Sequence, residues 1–321
     1  MDLTPVAEAV AAAEAVVAVG ARTQWEVGGR AAPAVEVRAP AGIVRHDPGD
    51  LTVTVGARTS FADLDAVLAP HRQECPLDPR HPEATIGGIL ATGLSGVRRL
   101  RHGPVREHVL ELRFVTGDAR VVKGGGPTVK NVTGYDLPRL LVGSLGTLGV
   151  IGQVTLRCRP RPVCARWFRA PPRPLRLFRP SAALWDGEAT HVLLEGTPAD
   201  IDAQAAGLAE REAPTLPDGT HRGRISVAPG RVEALGATLA RIPGARWCAE
   251  LGVGTVHVAG DDASVIAAAR RAAHDHGGWL LRESGGDDDG FGRSLPNLAL
   301  LRRIKAAFDP PGKLAPGRLP L

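Results

Sequence analysis

The sequence predicts an α+β protein made of a larger first unit and a smaller second one. Three observations carry that expectation. The chain has 321 residues, more than an ordinary single domain. Its first third mixes helix-period and strand-period apolar patterns, and a second α+β pattern resumes after an Arg/Pro-rich stretch from Arg157 to Pro180. With 44% hydrophobic and 23% charged residues the composition is globular, and 39 Gly and 27 Pro make it loop-rich.

The elements follow in order. Thr4 is placed to cap a first helix, with Pro5 at its first position and Val6, Val10 and Ala13 on one face. Val16-Val17-Ala18-Val19 reads as a short buried strand stopped by Gly20. The polar turn Gly20 to Trp25 then sits at that strand's carboxyl end, where bunched amides favour an anion, although a plain surface turn reads the same. Ala34 to Arg38 and Leu51 to Val55 are strand candidates, with Asp47-Pro48-Gly49-Asp50 as the turn between them. Ser60 and Asp63 form a capping box ahead of Phe61, Leu64, Val67 and Leu68 on one helical stripe. In the second unit, His191 to Glu195 and Gly254 to Val258 read as strands and Ser264 to Ala273 as a helix. The stretch between, with eight arginines and no acid, reads as a solvated linker more than a docking surface.

Charge and cysteine content exclude several classes. The net charge is +5, yet only Lys123, Lys130, Lys305 and Lys313 are lysines among 39 basic residues. Arginine without lysine is the usage of a GC-rich genome, and one Tyr, five Trp and six Phe leave little for base stacking, so no nucleic-acid partner is expected. Cys75, Cys158, Cys164 and Cys248 have neither zinc nor iron–sulfur spacing and suggest no disulfide framework. There is no basic n-region at the start and no apolar run long enough for a bilayer. The expectation is a cytoplasmic chain without direct membrane insertion.

Chemistry concentrates between His81 and Gly103. Thr85-Ile86-Gly87-Gly88 and Thr92-Gly93-Leu94-Ser95-Gly96 would offer close backbone approach, amides and hydroxyls to a diphosphate. Arg98, Arg99, Arg101 and His102 would neutralise its charge. Tight helix packing explains the glycines equally well. Neither nucleotide fingerprint holds: the repeated glycines of GSLGTLGVIG are not G-x-G-x-x-G, and Val129 stands where a P-loop needs glycine. The acidic run Asp287-Asp288-Asp289 fails a calcium loop, because Pro296 falls where the bidentate acid belongs. His274 and His276 read as a solvated helix end rather than metal ligands.

Four segments together, HPEATIGGILATGLSG, RHGPVREHVLELRFVTGDARVV, KNVTGYDLPRLLVGSLGTLGVIGQVTL and FDPPGKLAPGR, resemble the vanillyl-alcohol-oxidase, or PCMH-type, flavoproteins. Within them the chain is most similar to the FAD-binding E subunits of bacterial glycolate oxidases, densely over 1 to about 163 and again from 300 to 321. The resemblance implies a two-subdomain FAD-binding domain over 1–163, a smaller α+β cap over 164–299 entered by the Arg/Pro linker, and a last segment, 300–321, returning to the FAD domain. It also implies contacts to FAD from Gly20, Ala21, Arg22, Thr23 and Gln24, and from Pro76, Leu77, Thr85, Ile86, Gly87, Gly88, Thr92, Gly93, Ser95 and Gly96. His102 with Gly103, and Gly149, Val150 and Ile151, complete the set, with FAD bound non-covalently because no histidine occupies the linking positions.

The activity implied is oxidation of glycolate or a related small 2-hydroxy acid. That reaction needs a base for the hydroxyl and a cation for the carboxylate. The stretch where larger relatives place metal-linked histidines has none here, so the expected role is a subunit. It would pass electrons to a sister flavoprotein subunit and an iron–sulfur subunit, and reach the inner face of a membrane only through them. Lys130 and Tyr135 are the candidates for a substrate-side role, and no catalytic residue is assigned. The alternatives are a stand-alone FAD-dependent oxidoreductase and a flavin-free assembly scaffold.

Overall fold

The computed structural model describes residues 1–126, 136–171, 177–286, 290–292 and 295–321. Lys130, Tyr135 and the acidic run 287–289 lie outside the described residues.

The first helix, Thr4–Ala12, buries Val6 and Val10, but its cap differs from expectation. Thr4 is already helical and donates its amide to Asp2 Oδ1 at 2.9 Å, so the aspartate two residues earlier caps the helix. Strand Val16–Ala18 pairs in parallel with Val35–Val37. An antiparallel five-stranded sheet forms the body of the unit, in the order Ile43–Asp47, Thr52–Gly56, Val150–Arg157, Val109–Val115, Val121–Gly125. On it packs helix Phe61–Leu68, whose cap Ser60 accepts from the Asp63 amide as a capping box predicts; the Asp63 carboxylate takes its bond from the Ser60 hydroxyl at 2.7 Å in place of the Ser60 amide. Leu64 and Leu68 from this helix meet Leu112, Phe114, Val154 and Leu156 in the largest core cluster, joined by Ile86, Ile89 and Leu90 of helix Ile86–Thr92.

The second unit is one eight-stranded antiparallel sheet. In order its strands are Ala209–Arg211, Cys164–Ala170, Thr190–Gly196, Ala182–Trp185, Arg246–Glu250, Thr255–Gly260, His221–Ser226 and Trp279–Ser284. The linker expectation therefore needs correction. Cys164–Ala170 is an inner strand whose alternation buries Phe168 and Ala170, because it lies between two strands that satisfy its backbone on both sides. Helices Val232–Leu239 and Ala263–Asp275 cover one face, with Ile225, Val256, Val258 and Leu280 beneath them. The opposite face of that half of the sheet turns to the first unit. The chain's last residues run back along the first strand: the Ala315 amide donates to Val16 O at 2.7 Å and the Gly29 amide to Arg318 O at 3.0 Å.

Candidate functional site

Three adjoining cavities run from the first unit to the junction of the two. One of about 60 Å³ is bounded by Val19, Arg58, Gly87, Gly146, Gly149 and Ile151. It shares Ala18, Gly20, Thr85, Gly88 and Ala91 with a second of about 80 Å³, which also touches Ala21, Arg22, Thr92 and Arg318. That one shares Thr23, Gln24 and Val27 with the largest, about 300 Å³, which opens between the units.

The backbone donors along this groove divide into two groups. At the start of helix Ile86–Thr92 the amides are engaged: Ile86 with Thr59 O, Gly87 with Ala57 O at 2.7 Å, and Gly88 with its own cap, Thr85 Oγ1, at 3.3 Å. The turn after Val19 is the reverse. Among the described residues the amides of Gly20, Ala21, Arg22, Thr23 and Gln24 meet no acceptor. The chain bends through a left-handed Arg22, φ 61°, before Trp25 N closes onto Arg22 O. Such consecutive unpaired amides at a strand's carboxyl end form an anion nest. Trp25 is held between two guanidinium groups, Arg22 at 4.7 Å and Arg318 at 4.2 Å. The Thr92 hydroxyl donates to Gln24 Oε1 at 2.7 Å and fixes the turn against the helix.

The other expected contacts scatter. Thr85, Gly87, Gly88, Thr92, Gly149 and Ile151 line the two smaller cavities, and Ser95 and Gly96 the large one. Val150 faces the other way into the Leu3, Val10 and Val115 cluster, as strand alternation requires. Ile86 and Leu77 are core residues with no exposed surface, and Pro76 is buried beside Leu77. The wall lies two residues on, at Asp78, Pro79, Arg80 and His81. Gly93 ends its helix at φ 66° and Gly103 ends another at φ 81°, so both are conformational requirements.

The charged run after Gly96 does not reach the groove. Arg98 clamps Asp78 with two bonds, Nε at 2.9 Å and Nη2 at 2.6 Å, while Nη1 reaches Glu74 at 2.8 Å and Glu195 of the second unit at 2.9 Å. His102 Nε2 lies 3.4 Å from the same Glu195, and Arg101 binds its carbonyl at 3.1 Å. Burial alone would push the Glu195 carboxyl up; His102, Ser181 and Arg98 outweigh it and hold it at about 2. The expectation of a phosphate-facing Arg98, Arg101 and His102 is corrected on this ground: their donors join the two units.

The large cavity holds a polar set that sequence reasoning missed. Arg80 comes from the first unit; Arg222 and Arg224 from one strand of the second, His257 from its neighbour and Glu283 from the edge. Arg224 Nε binds Glu283 at 2.8 Å, and Nη1 crosses to Ser95 O at 2.7 Å. Arg222 Nε is buried with no hydrogen-bond acceptor among the described residues; Arg80 donates from Nη2 to Pro217 O at 2.8 Å, and its Nη1, also without a hydrogen-bond acceptor there, stands 3.6 Å from Asp218. Burial, together with the neighbouring Arg222 and Arg224, lowers the Arg80 guanidinium from its ordinary value against the pull of Glu283 and Asp218. Crowded like charges with open donors in a partly apolar cavity call for an anionic ligand. Their sequence signal was alternation, in HRGRIS and TVHVAG, which reads as an ordinary solvent face. His274 and His276 stand apart. The first is 83% exposed and the second bonds Thr238 on the helical side. No group of three or more His, Cys, Asp or Glu among the described residues is arranged to hold a metal, and no described helix is long and apolar enough to cross a membrane.

Residues 4–125 match the FAD binding domain family. Glycolate oxidase subunit GlcE of Escherichia coli K12 is 31% identical over 320 residues, covering 89% of this chain and 86% of that one. D-lactate dehydrogenase of Archaeoglobus fulgidus is 41% identical over 115 residues, 36% of this chain and 26% of that protein. A solved alkyldihydroxyacetonephosphate synthase shares the fold, with a TM-score of 0.66 over 97% of this chain and 74% of its own at 15% identity. The protein is thus an FAD-binding oxidoreductase of the PCMH-type fold. Within that class the chain belongs to the family of glycolate oxidase subunit GlcE.

The residues present fit FAD. A Cβ on Gly20 would stand 2.1 Å from Thr85 Oγ1, so only glycine leaves the turn against the helix and the nest open. The nest then lies midway along the three cavities, where a dinucleotide carries its diphosphate.

Proposed function

We propose that this chain binds FAD non-covalently along the groove and presents it to a small 2-hydroxy acid in the cavity between the units. The 20–24 amides and Arg318 would hold the diphosphate, Gly149 and Ile151 would border the adenine side, and the 78–81 and 94–97 segments would border the isoalloxazine. When bound, FAD supplies the two-electron acceptor for the hydrogen leaving the substrate carbon. Arg222, Arg224 and Arg80 bind and orient the acid's carboxylate. Leu94, Trp167, Leu184 and Leu216 form the apolar wall that keeps water away. The single observation that carries this reading is the set of three guanidinium groups, Arg80, Arg222 and Arg224, lining one cavity that adjoins the nest.

The four cysteines have no cluster spacing, so the electrons pass to a partner. A sister flavoprotein subunit and an iron–sulfur subunit fit that need, with any membrane association of this cytoplasmic chain made through them. The arginine set favours a second reading, in which the chain oxidises the acid unaided. The test is a visible spectrum of the chain purified alone, followed by anaerobic glycolate or D-lactate. A bound flavin that either acid bleaches supports the second reading. A yellow protein bleached only with its partners supports the subunit reading, and a colourless one overturns both.

A further inference from the structure

His257 sits in the middle of the second unit's sheet, in register with Arg224 on one neighbouring strand and Cys248 on the other. Its flanking residues Val256 and Val258 face the helices and are 0% and 2% exposed, so alternation turns His257 to the opposite face, where it lines the large cavity. Its Nε2 lies 2.8 Å from Glu250 Oε1, with the two side chains 5% and 3% exposed. Glu250 Oε2 has no hydrogen-bond partner among the described residues, so the carboxylate's hydrogen bond goes to this imidazole. With Glu250 ionised, Nε2 carries the hydrogen and Nδ1 keeps its lone pair.

A buried carboxylate–imidazole pair costs desolvation that an apolar pair on the same sheet would avoid. Its partner across the strand is no nucleophile, because burial, with Asp186 and Glu250, pushes the Cys248 thiol up to about 12. The remaining charged groups around the pair are Arg224, Glu283 and, from the first unit, Arg99, which feels Glu250 directly. What the pair offers is an oriented proton acceptor beside the open arginines.

We propose that His257 is the catalytic base that takes the substrate hydroxyl proton, and that Glu250 is its positioning residue. This rests on the reading of the cavity as the 2-hydroxy-acid site. The O–H bond breaks with its proton passing to His257 Nδ1. The C–H bond breaks with its hydrogen and both electrons leaving to FAD, and the carbonyl of the 2-oxo acid forms. Glu250 holds the ring's tautomer and stabilises the imidazolium.

The experiment uses the full-length, flavin-loaded chain with its partner subunits. His257→Gln, Glu250→Gln and Glu250→Asp are compared, with His274→Gln, on the exposed helix end, as the control. Anaerobic glycolate should bleach the flavin about 10²–10⁴-fold more slowly in His257→Gln, at a glycolate affinity within about threefold. Glu250→Gln should slow it less, and Glu250→Asp should restore part of the rate. Independently of turnover, ¹⁵N spectra of histidine-labelled protein should contain one fixed Nε2-protonated imidazole that is absent in His257→Gln and loses its tautomer preference in Glu250→Gln. An unaltered rate and pH profile in His257→Gln overturns the proposal. If Arg222→Met weakens glycolate binding in the same series, the cavity reading survives that failure. If it does not, the cavity reading falls as well, and a wild-type flavin that glycolate leaves oxidised overturns both.

Discussion

Residues 85–102 and the pair formed by the 20–24 turn and the cavity arginines make opposite use of the same chemistry. The first region is the richer in glycine, hydroxyl and arginine, yet its donors are engaged inside the protein: Gly87 with Ala57 O, Arg98 with three carboxylates and Arg101 with the Glu195 carbonyl. The second is plainer in sequence, yet its turn amides meet no acceptor among the described residues and Arg222 Nε has no hydrogen-bond partner there. A motif-rich segment is therefore here a joint and a helix start, while the ligand-facing groups come from places with weaker signatures. Whether a donor binds ligand is decided by the acceptors that the rest of the chain brings to it.

Removing Arg98 should break the engaged side with the largest effect. Arg98→Met takes the guanidinium from Glu74, Asp78 and Glu195, whose side chains are 11%, 20% and 4% exposed, and leaves the Glu195 carboxylate only Ser181 and the nearby His102. A loss of about 3–5 kcal/mol is expected, read as a lowered denaturant midpoint. The same joint predicts an acid response. The Glu195 carboxyl lies at about 2 against an ordinary 4.5, so its contribution is complete above about 4.5 and is lost as pH falls toward 2. In Arg98→Met the folded-state carboxyl should lie closer to its ordinary value, so that loss should be smaller and end at a higher pH. An unchanged midpoint, or an unchanged acid transition, would show that Arg98 is no joint.

Gly20→Ala tests the open side at the nest. The added Cβ would meet Thr85 Oγ1 at 2.1 Å and must push the turn off the helix. About 1–3 kcal/mol of strain should fall on the binding geometry, weakening FAD about 10- to 100-fold in a fluorescence titration. Gly87→Ala is the matched comparison, with its Cβ 3.0 Å from Ala57 in the interior. It should lower thermal stability more than it lowers FAD affinity. Equal flavin loss in both would erase the distinction between engaged and open loops.

Much of the first unit was legible because its signals are local. The Ser60–Asp63 capping box and the alternation in Leu51 to Val55 each need only a few neighbouring residues, and the glycine clusters marked the groove's neighbourhood. Which amides remain open was not legible, because Ala57 O and Thr59 O reach the Gly87 and Ile86 amides from some thirty residues away. The second unit's chemistry was hidden for a related reason. Arg222, Arg224, Glu250 and His257 occupy the polar phase of alternating strands, which sequence alone assigns to water, and Glu283 follows Trp279 and Leu281 on a phase that looks apolar. Here the first unit stands where the water would be. Charges of both signs recurring on one phase of several strands, HRGRIS, RWCAE and WLLRES, are the signal that could have pointed there.

Arg222→Met gives the smallest expected effect and the sharpest contrast with Arg98. The ion-pair partner of Arg222 is Asp218, at 2.8 Å, whose side chain is 70% exposed. Losing that pair costs less than about 1 kcal/mol, and the freed carboxylate remains in water. Methionine also fills most of the volume of the arginine stem, so the sheet should keep its packing. Stability should then stay close to wild type while glycolate affinity falls about tenfold, the loss of one charge-assisted contact, in a titration of the flavin spectrum. A large drop in stability with unchanged affinity would make Arg222 a second Arg98, and the difference between engaged and open arginines would not hold on this face.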